Sequence, residues 1–145
     1  MVEHPKKYIN ELAKLNASYI TIHVEIDDNI NELIDLIHSY GINAGLAINP
    51  ETSVLALNDY LDNIEYVLIM GVKPGYGGQE LLSESVNKIQ ELRNLREKYN
   101  YHYKISLDGG VNGKTRKILN GLDIIVSGSY ICESDNYQEK VDTLR

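Results

Sequence analysis

The tripeptide Asp108-Gly109-Gly110, which closes a β-branched run, points most directly to chemistry in this chain. A carboxylate at a strand end can move a proton, ligate a metal or cap the next helix, and the residues alone leave all three open. The paired glycines bare backbone N–H groups at the expected start of a helix, where the dipole favours an anion. About twenty residues on, Ser127-Gly128-Ser129 offers a second small-residue turn with hydroxyl and backbone donors. Two such strand-to-helix turns in succession are similar to the phosphate cradle that barrels carry after their last strands, and they favour a phosphorylated ligand. Upstream, Gly71 to Gln79 packs four glycines and a proline into nine positions. Such a loop either approaches a ligand closely or is a glycine-rich turn and nothing more.

These turns must be held by strands and helices, and the chain alternates the two. Tyr19 to Val24 reads as a strand. Asp27, Asp28 and Asn29 then offer N-cap oxygens to a helix with Ile30, Leu33, Ile34 and Ile37 on one face and Gly41 at its end. Asn43 to Ile48 is a second strand and Tyr66 to Met70 a third, its unbroken hydrophobicity predicting burial on both faces. Tyr103 to Leu107 and Asp123 to Ser127 complete five. Helices are expected over Ser53 to Tyr60, along the stripe Leu82, Val86, Ile89 and Leu92, over Lys114 to Asn120, and over Tyr137 to Leu144. Pro5 fits the first position of a leading helix carrying Tyr8, Leu12 and Leu15. Alternation of this kind means parallel strands covered by helices, and periodicity leaves an open doubly wound sheet and a (β/α)₈ barrel in competition.

Composition narrows the class. The 145 residues carry a formal charge of −7, with 43% hydrophobic and 24% charged residues, which suits a soluble globular domain and argues against a nucleic-acid partner. No apolar run approaches the ~20 residues of a membrane span. Pro5, Glu3, Lys6 and Lys7 stand where a signal peptide would be apolar. The single cysteine, Cys132, suggests a reducing compartment, hence the cytoplasm, and is expected as a small buried apolar side chain.

With the elements in place, a family resemblance emerges. The segment from Ile69 through Gly71-Val72-Lys73-Pro74-Gly75-Tyr76-Gly77-Gly78-Gln79 resembles the loop after strand six of ribulose-phosphate 3-epimerases. Ser106-Leu107-Asp108-Gly109-Gly110-Val111-Asn112 resembles their strand-seven motif, and Val126-Ser127-Gly128-Ser129-Tyr130-Ile131 their strand-eight motif. Ile20 to Glu25 and Gly45 to Pro50 are similar to strands four and five. The resemblance implies an incomplete TIM (β/α)₈ barrel, with residues 1–145 as one partial domain of about five parallel strands and covering helices. It implies an isomerase of the pentose phosphate pathway that interconverts D-ribulose 5-phosphate and D-xylulose 5-phosphate by metal-assisted proton abstraction at C3. In that reading Asp108 is both a catalytic acid–base group and a metal ligand. Met70 lines the pocket, Gly109, Gly110, Gly128 and Ser129 take the phosphate, and Gly75, Gly77 and Gly78 belong to a closing lid. The metal is divalent: zinc, iron, manganese or cobalt.

The same resemblance implies a deficit. Met1-Val2 looks like the tail of a third-strand motif, so three of four metal ligands and one of two acid–base groups have no counterpart in these residues. The expectation is an activity impaired in this chain taken by itself, with a metal that does not bind. A non-catalytic sugar-phosphate-binding remnant, or an epimerase or synthase of a related ketose phosphate, are the alternatives. His23 is expected as a hydrogen-bonded rim or core residue, and His4, His38 and His102 carry no role. Gly71 and Lys73 stand where the family usually has threonine and asparagine. Two open sheet edges predict a marginally stable C-shaped half-barrel, a homo-oligomer that covers the gap, or aggregation.

Overall fold

A computed structural model describes residues 1–145. Helix α1 (Lys6–Lys14) precedes β1 (Tyr19–His23), α2 (Ile30–Ser39), β2 (Asn43–Ile48), β3 (Tyr66–Met70), α3 (Ser83–Tyr99), β4 (Lys104–Asp108), β5 (Ile124–Val126), α4 (Ser129–Cys132) and α5 (Tyr137–Asp142). All five strands are parallel, and their spatial order is their chain order. That order decides between the two architectures. A doubly wound sheet reverses its strand order at a switch point, which sends helices to both faces. Here every crossover steps the same way, and right-handed crossovers then lay the helices that connect strands on one face, as in a barrel wall.

Burial follows that geometry. Ile20, Ile22, Leu46, Ile48, Val67, Ile69, Ile105 and Leu107 point towards the helices and are buried, joining Ile34 and Ile37 of α2 and Leu92 of α3 in one core. The other face is mixed: Ala47, Met70 and Ser106 are buried, Thr21, Tyr66 and Leu68 half-buried, and Tyr19, Lys104, Ile124 and Val126 exposed. The third strand is therefore buried on its helix side, and on the other it is half-buried at Tyr66 and Leu68 and buried at Met70. On this inner face β2 presents Gly45, whose added Cβ would stand 2.7 Å from the Thr21 hydroxyl and 3.0 Å from the Tyr66 ring.

Local signals explain the element ends. The Asn29 side chain accepts from the Glu32 N–H and donates to the Glu32 carboxylate, both at 3.3 Å, so Asn29 is the cap among the three candidates. Gly41 (φ +71°) follows the helix, and Asn100 ends α3 in the left-handed region at φ +56°. At the base of the sheet one device recurs. The Glu65 carboxylate, just before β3, accepts from the Ala44 N–H at 2.8 Å, and the Asp123 carboxylate, just before β5, accepts from the Ile105 N–H at 2.7 Å. His38 and Arg96 brace these two acids.

Several elements differ from their expected form. Ser53 to Tyr60 holds one 3-10 turn, Val54–Leu57, with the Ser53 hydroxyl accepting from the Leu55 N–H. Lys114 to Asn120 likewise holds one 3-10 turn, Thr115–Ile118. The Thr115 hydroxyl donates to the Gly110 carbonyl, and Gly121 at φ +92° closes the segment, so one turn fills the space. The stripe of α3 is Ser85, Lys88, Ile89 and Leu92; Leu82 is its N-cap residue and is exposed. Pro5 takes the N-cap position of α1 rather than its first helical position. Cys132 is exposed, not buried, because α4 is too short to bring it under other elements.

Candidate functional site

Parallel strands deliver all their C-terminal ends to one rim, and register sets which side chains meet there. Met70 pairs with Asp108 and Asp108 with Val126, so the ends of β3, β4 and β5 stand level. The loops that follow them enclose a cavity of about 700 Å³. Its lining includes Met70, the loop Lys73 to Gln79, Asp108 to Asn112, and Val126 to Tyr130. Every residue singled out for chemistry lies on that wall: Met70, Gly75, Gly77, Gly78, Asp108, Gly109, Gly110, Gly128 and Ser129.

Backbone packing makes two of these turns a single unit. The Gly71 N–H donates to the Asp108 carbonyl at 2.6 Å, and the Gly71 carbonyl accepts from the Leu82 N–H at 2.9 Å. A Cβ on Gly71 would stand 2.3 Å from the Gly109 carbonyl oxygen, which accounts for glycine where threonine is usual. Gly110, at φ +69°, would place a Cβ 2.4 Å from the Leu81 backbone nitrogen. The Gln79 side chain folds the intervening loop onto itself, donating to the carbonyls of Lys73 at 2.8 Å and Tyr76 at 2.9 Å. The Ser127 hydroxyl donates to the Val111 carbonyl at 3.0 Å and ties the last turn to the middle one.

Asp108 is not a helix cap. Asn112 performs that task, its side-chain oxygen accepting from the N–H groups of Lys114 and Thr115. The Asp108 carboxylate is left facing the cavity, half-buried. Burial pushes its carboxyl above the usual value, and the Gly109 N–H, donating to it, partly offsets the shift. A carboxylate poised in this way suits proton transfer better than a solvated one. The helix expected after Gly110 is a single 3-10 turn, so this turn has no helix dipole to offer an anion, only backbone N–H groups.

The histidines lie elsewhere. His23 Nδ1 stands 3.0 Å from the Glu25 carboxylate, and its ring lines a separate, mostly apolar cavity of about 350 Å³ between the inner face and α1. His4 lies 3.8 Å from Asp28, His38 lies 3.1 Å from Glu65, and His102 is exposed. The metal implied by resemblance was tested against these donors. No three His, Cys, Asp or Glu side chains converge anywhere in residues 1–145, and a divalent ion requires several convergent ligands. The residues present do not make up such a site.

One polar cluster beside the rim escaped the sequence reading. The Glu25 carboxylate accepts from the Asn49 N–H at 2.7 Å, the Thr52 hydroxyl at 2.5 Å and His23. Burial raises the Glu25 carboxyl, yet these hydrogen bonds outweigh it and hold the group at about 2. From the other side, Lys88 of α3, only 6% exposed, donates to the carbonyls of Asn49, Pro50 and Thr52. Burial pushes its ammonium below the usual lysine value, and the Glu25 carboxylate opposes that shift. The sequence carries no signal for it, since Lys88 lies off the expected stripe Leu82, Val86, Ile89 and Leu92, and only the fold places this lysine on the buried side of α3.

Comparison with known proteins points to one family. The profile described as "Ribulose-phosphate 3 epimerase family" matches residues 1–132. Ribulose-phosphate 3-epimerase of Aquifex aeolicus is 32% identical over 147 residues, covering 100% of this chain and 66% of its own length. The enzyme of the same name from Buchnera aphidicola is 39% identical over 139 residues, covering 94% of this chain and 61% of its own. Among solved structures, a tryptophan synthase alpha-subunit from Pyrococcus furiosus superposes with a TM-score of 0.67 at 17% identity, over 96% of this chain and 59% of that one, a likeness of fold alone. The chain thus spans 60% to 68% of the length of such curated relatives. With its whole length matched and its three strand-end motifs gathered on one cavity, the chain belongs to the ribulose-phosphate 3-epimerase family.

Proposed function

We propose that the chain carries the phosphate-binding half of a ribulose-phosphate 3-epimerase site, with Asp108 exchanging the proton at C3 of D-ribulose 5-phosphate or D-xylulose 5-phosphate. The observation that carries this reading is the half-buried Asp108 carboxylate, its carboxyl raised by burial, on the same wall as three glycine-rich turns. Gly110, Gly128 and Ser129 offer N–H and hydroxyl donors to a phosphate, while Gly109, whose N–H is turned to Asp108, lets the turn pack closely against Val72. The Gly75 to Gly78 loop covers the sugar and excludes water, and Met70 packs against its carbon skeleton. Asp108, acting as base, takes the proton beside the carbonyl, and returning a different proton to the same face gives exchange without inversion. Inversion asks for a second acid–base group on the opposite face, and the cavity lining offers no second buried carboxylate. Family membership suggests a divalent metal, and no step above is routed through one. In this reading residues 1–145 form one domain equivalent to strands four to eight of the barrel, in a cytoplasmic protein whose partner is a small ketose phosphate.

A second reading, sugar-phosphate binding without turnover, is favoured by the lack of three convergent metal donors. One experiment separates the two. The purified chain is incubated with D-ribulose 5-phosphate and a divalent metal salt in deuterated water, and C3 is followed by NMR. Deuterium at C3 that disappears in Asp108→Asn supports the first reading. A C3 that stays protonated while the sugar phosphate still binds supports the second.

A further inference from the structure

We propose that Lys73 is a specificity-determining residue that recognises the charge of the phosphate group; the assignment rests on the phosphate-binding reading above and deepens it. The glycine-rich turns present N–H dipoles, which orient an anion but do not neutralise a dianion. A counter-charge is needed, all the more because the chain carries a formal charge of −7 and repels an approaching dianion. The cavity lining holds the carboxylates of Asp108 and Glu133 and one cationic side chain, that of Lys73. Lys73 is set in a held loop, since its carbonyl receives the Gln79 side-chain N–H that also fixes Tyr76. Its ammonium makes no hydrogen bond or ion pair with any other group of the chain, in contrast to Lys88, whose three bonds fully occupy it. An anchored backbone with an unengaged, exposed ammonium can swing a point charge over the Gly109 and Gly128 turns without rearranging the loop.

The test titrates the full chain with inorganic phosphate and with D-ribulose 5-phosphate, at about 0.01 M and about 0.15 M ionic strength, where the screening length falls from ~30 Å to ~8 Å. Lys73→Met is expected to weaken both ligands about tenfold at low salt, as loss of one charge-assisted contact implies. It should also flatten their salt dependence. Lys73→Arg should stay within about threefold of the wild type, because the charge remains. Unphosphorylated D-ribulose should bind all three proteins alike, and proton exchange at saturating sugar phosphate should keep its rate while half-saturation rises. Lys73 is exposed, so these variants fold. Ser129→Asp places a charge in the cradle itself and serves as the control. Loss of phosphate binding in Ser129→Asp with none in Lys73→Met overturns the role of the lysine and leaves the cradle standing. Loss in neither variant overturns both.

Discussion

Replacing Lys88 by methionine tests whether the rim of the site is held by charge from behind. Methionine keeps most of the aliphatic stem, so packing in the α3 stripe is largely retained and the ammonium alone is lost. Three carbonyls, those of Asn49, Pro50 and Thr52, then lose a donor at 2.5 to 2.7 Å. Each bond to a charged donor contributes ~1.5–3 kcal/mol, from which the cost of keeping an ammonium 6% exposed must be subtracted. A net loss of about 3 kcal/mol is expected, in line with removal of one member of a buried charged cluster. At ~2.1 cal/mol/K of unfolding entropy per residue, 145 residues give about 0.3 kcal/mol/K, so Tm falls by about 10 °C. Thermal and urea unfolding followed by circular dichroism measure both quantities. Glu25→Gln provides the cycle partner, since Glu25 holds Asn49 and Thr52 from the opposite side. The two substitutions should couple by about 1 kcal/mol rather than add. A loss below about 1 kcal/mol with strict additivity would mean that water serves these carbonyls and that the clamp argument is wrong.

Three further expectations concern single groups. The Glu25 carboxyl lies at about 2 when folded against an ordinary 4.5, so the stability it adds is complete above about pH 4.5 and drains away as pH falls towards 2. Its side chain is 26% exposed, which reduces that contribution to about 1–2 kcal/mol, and Glu25→Gln should show a correspondingly flatter acid limb in urea unfolding. Asp108→Asn should slow proton exchange at C3 by about 10²- to 10⁴-fold. The wild-type rate should fail on the acid side at a pH above the ordinary aspartate value of 3.8, because only the ionised form accepts a proton and burial raises that carboxyl. Cys132 should react with a thiol-specific reagent in the native protein about as fast as in urea; strong native protection would contradict its exposure.

The strands were largely legible from sequence because β-branched runs bounded by Gly, Asn and Pro leave few alternatives. Asn43–Ile48 and Tyr66–Met70 fall where they were expected, and β4 is displaced by one residue. Barrel against open sheet was not legible from periodicity, since strand order is a property of long-range pairing; motif resemblance was the only guide. The two overestimated helices, 53–60 and 114–120, show a different limit. Val54, Leu57 and Leu61 repeat at helical spacing whether one turn or two forms, and in 114–120 a side-chain bond from Thr115 back to the Gly110 carbonyl competes with helix in a way that spacing does not show. The site was legible where glycine is sterically required, as at Gly109 and Gly110, because there the residue type itself records a close approach. Glu25 and Lys88 went unread for the opposite reason. Each has the composition of a surface residue, and only the fold reveals that both pin the same four-residue segment.

The sequential order of the strands has a consequence for how change is tolerated along the gene. Since each strand pairs only with its predecessor and successor, the chain behaves much like a one-dimensional stack, each layer resting on the one before. Apart from Met1, the residues that line the larger cavity come from β3 onward, whereas α1 through β2 contribute core and the rim clamp. On the proposed function, residues up to Ile48 answer to packing, while those lining the larger cavity answer to both packing and ligand. The same layering suits folding in the order of synthesis, because each strand from β2 onward finds a partner already formed.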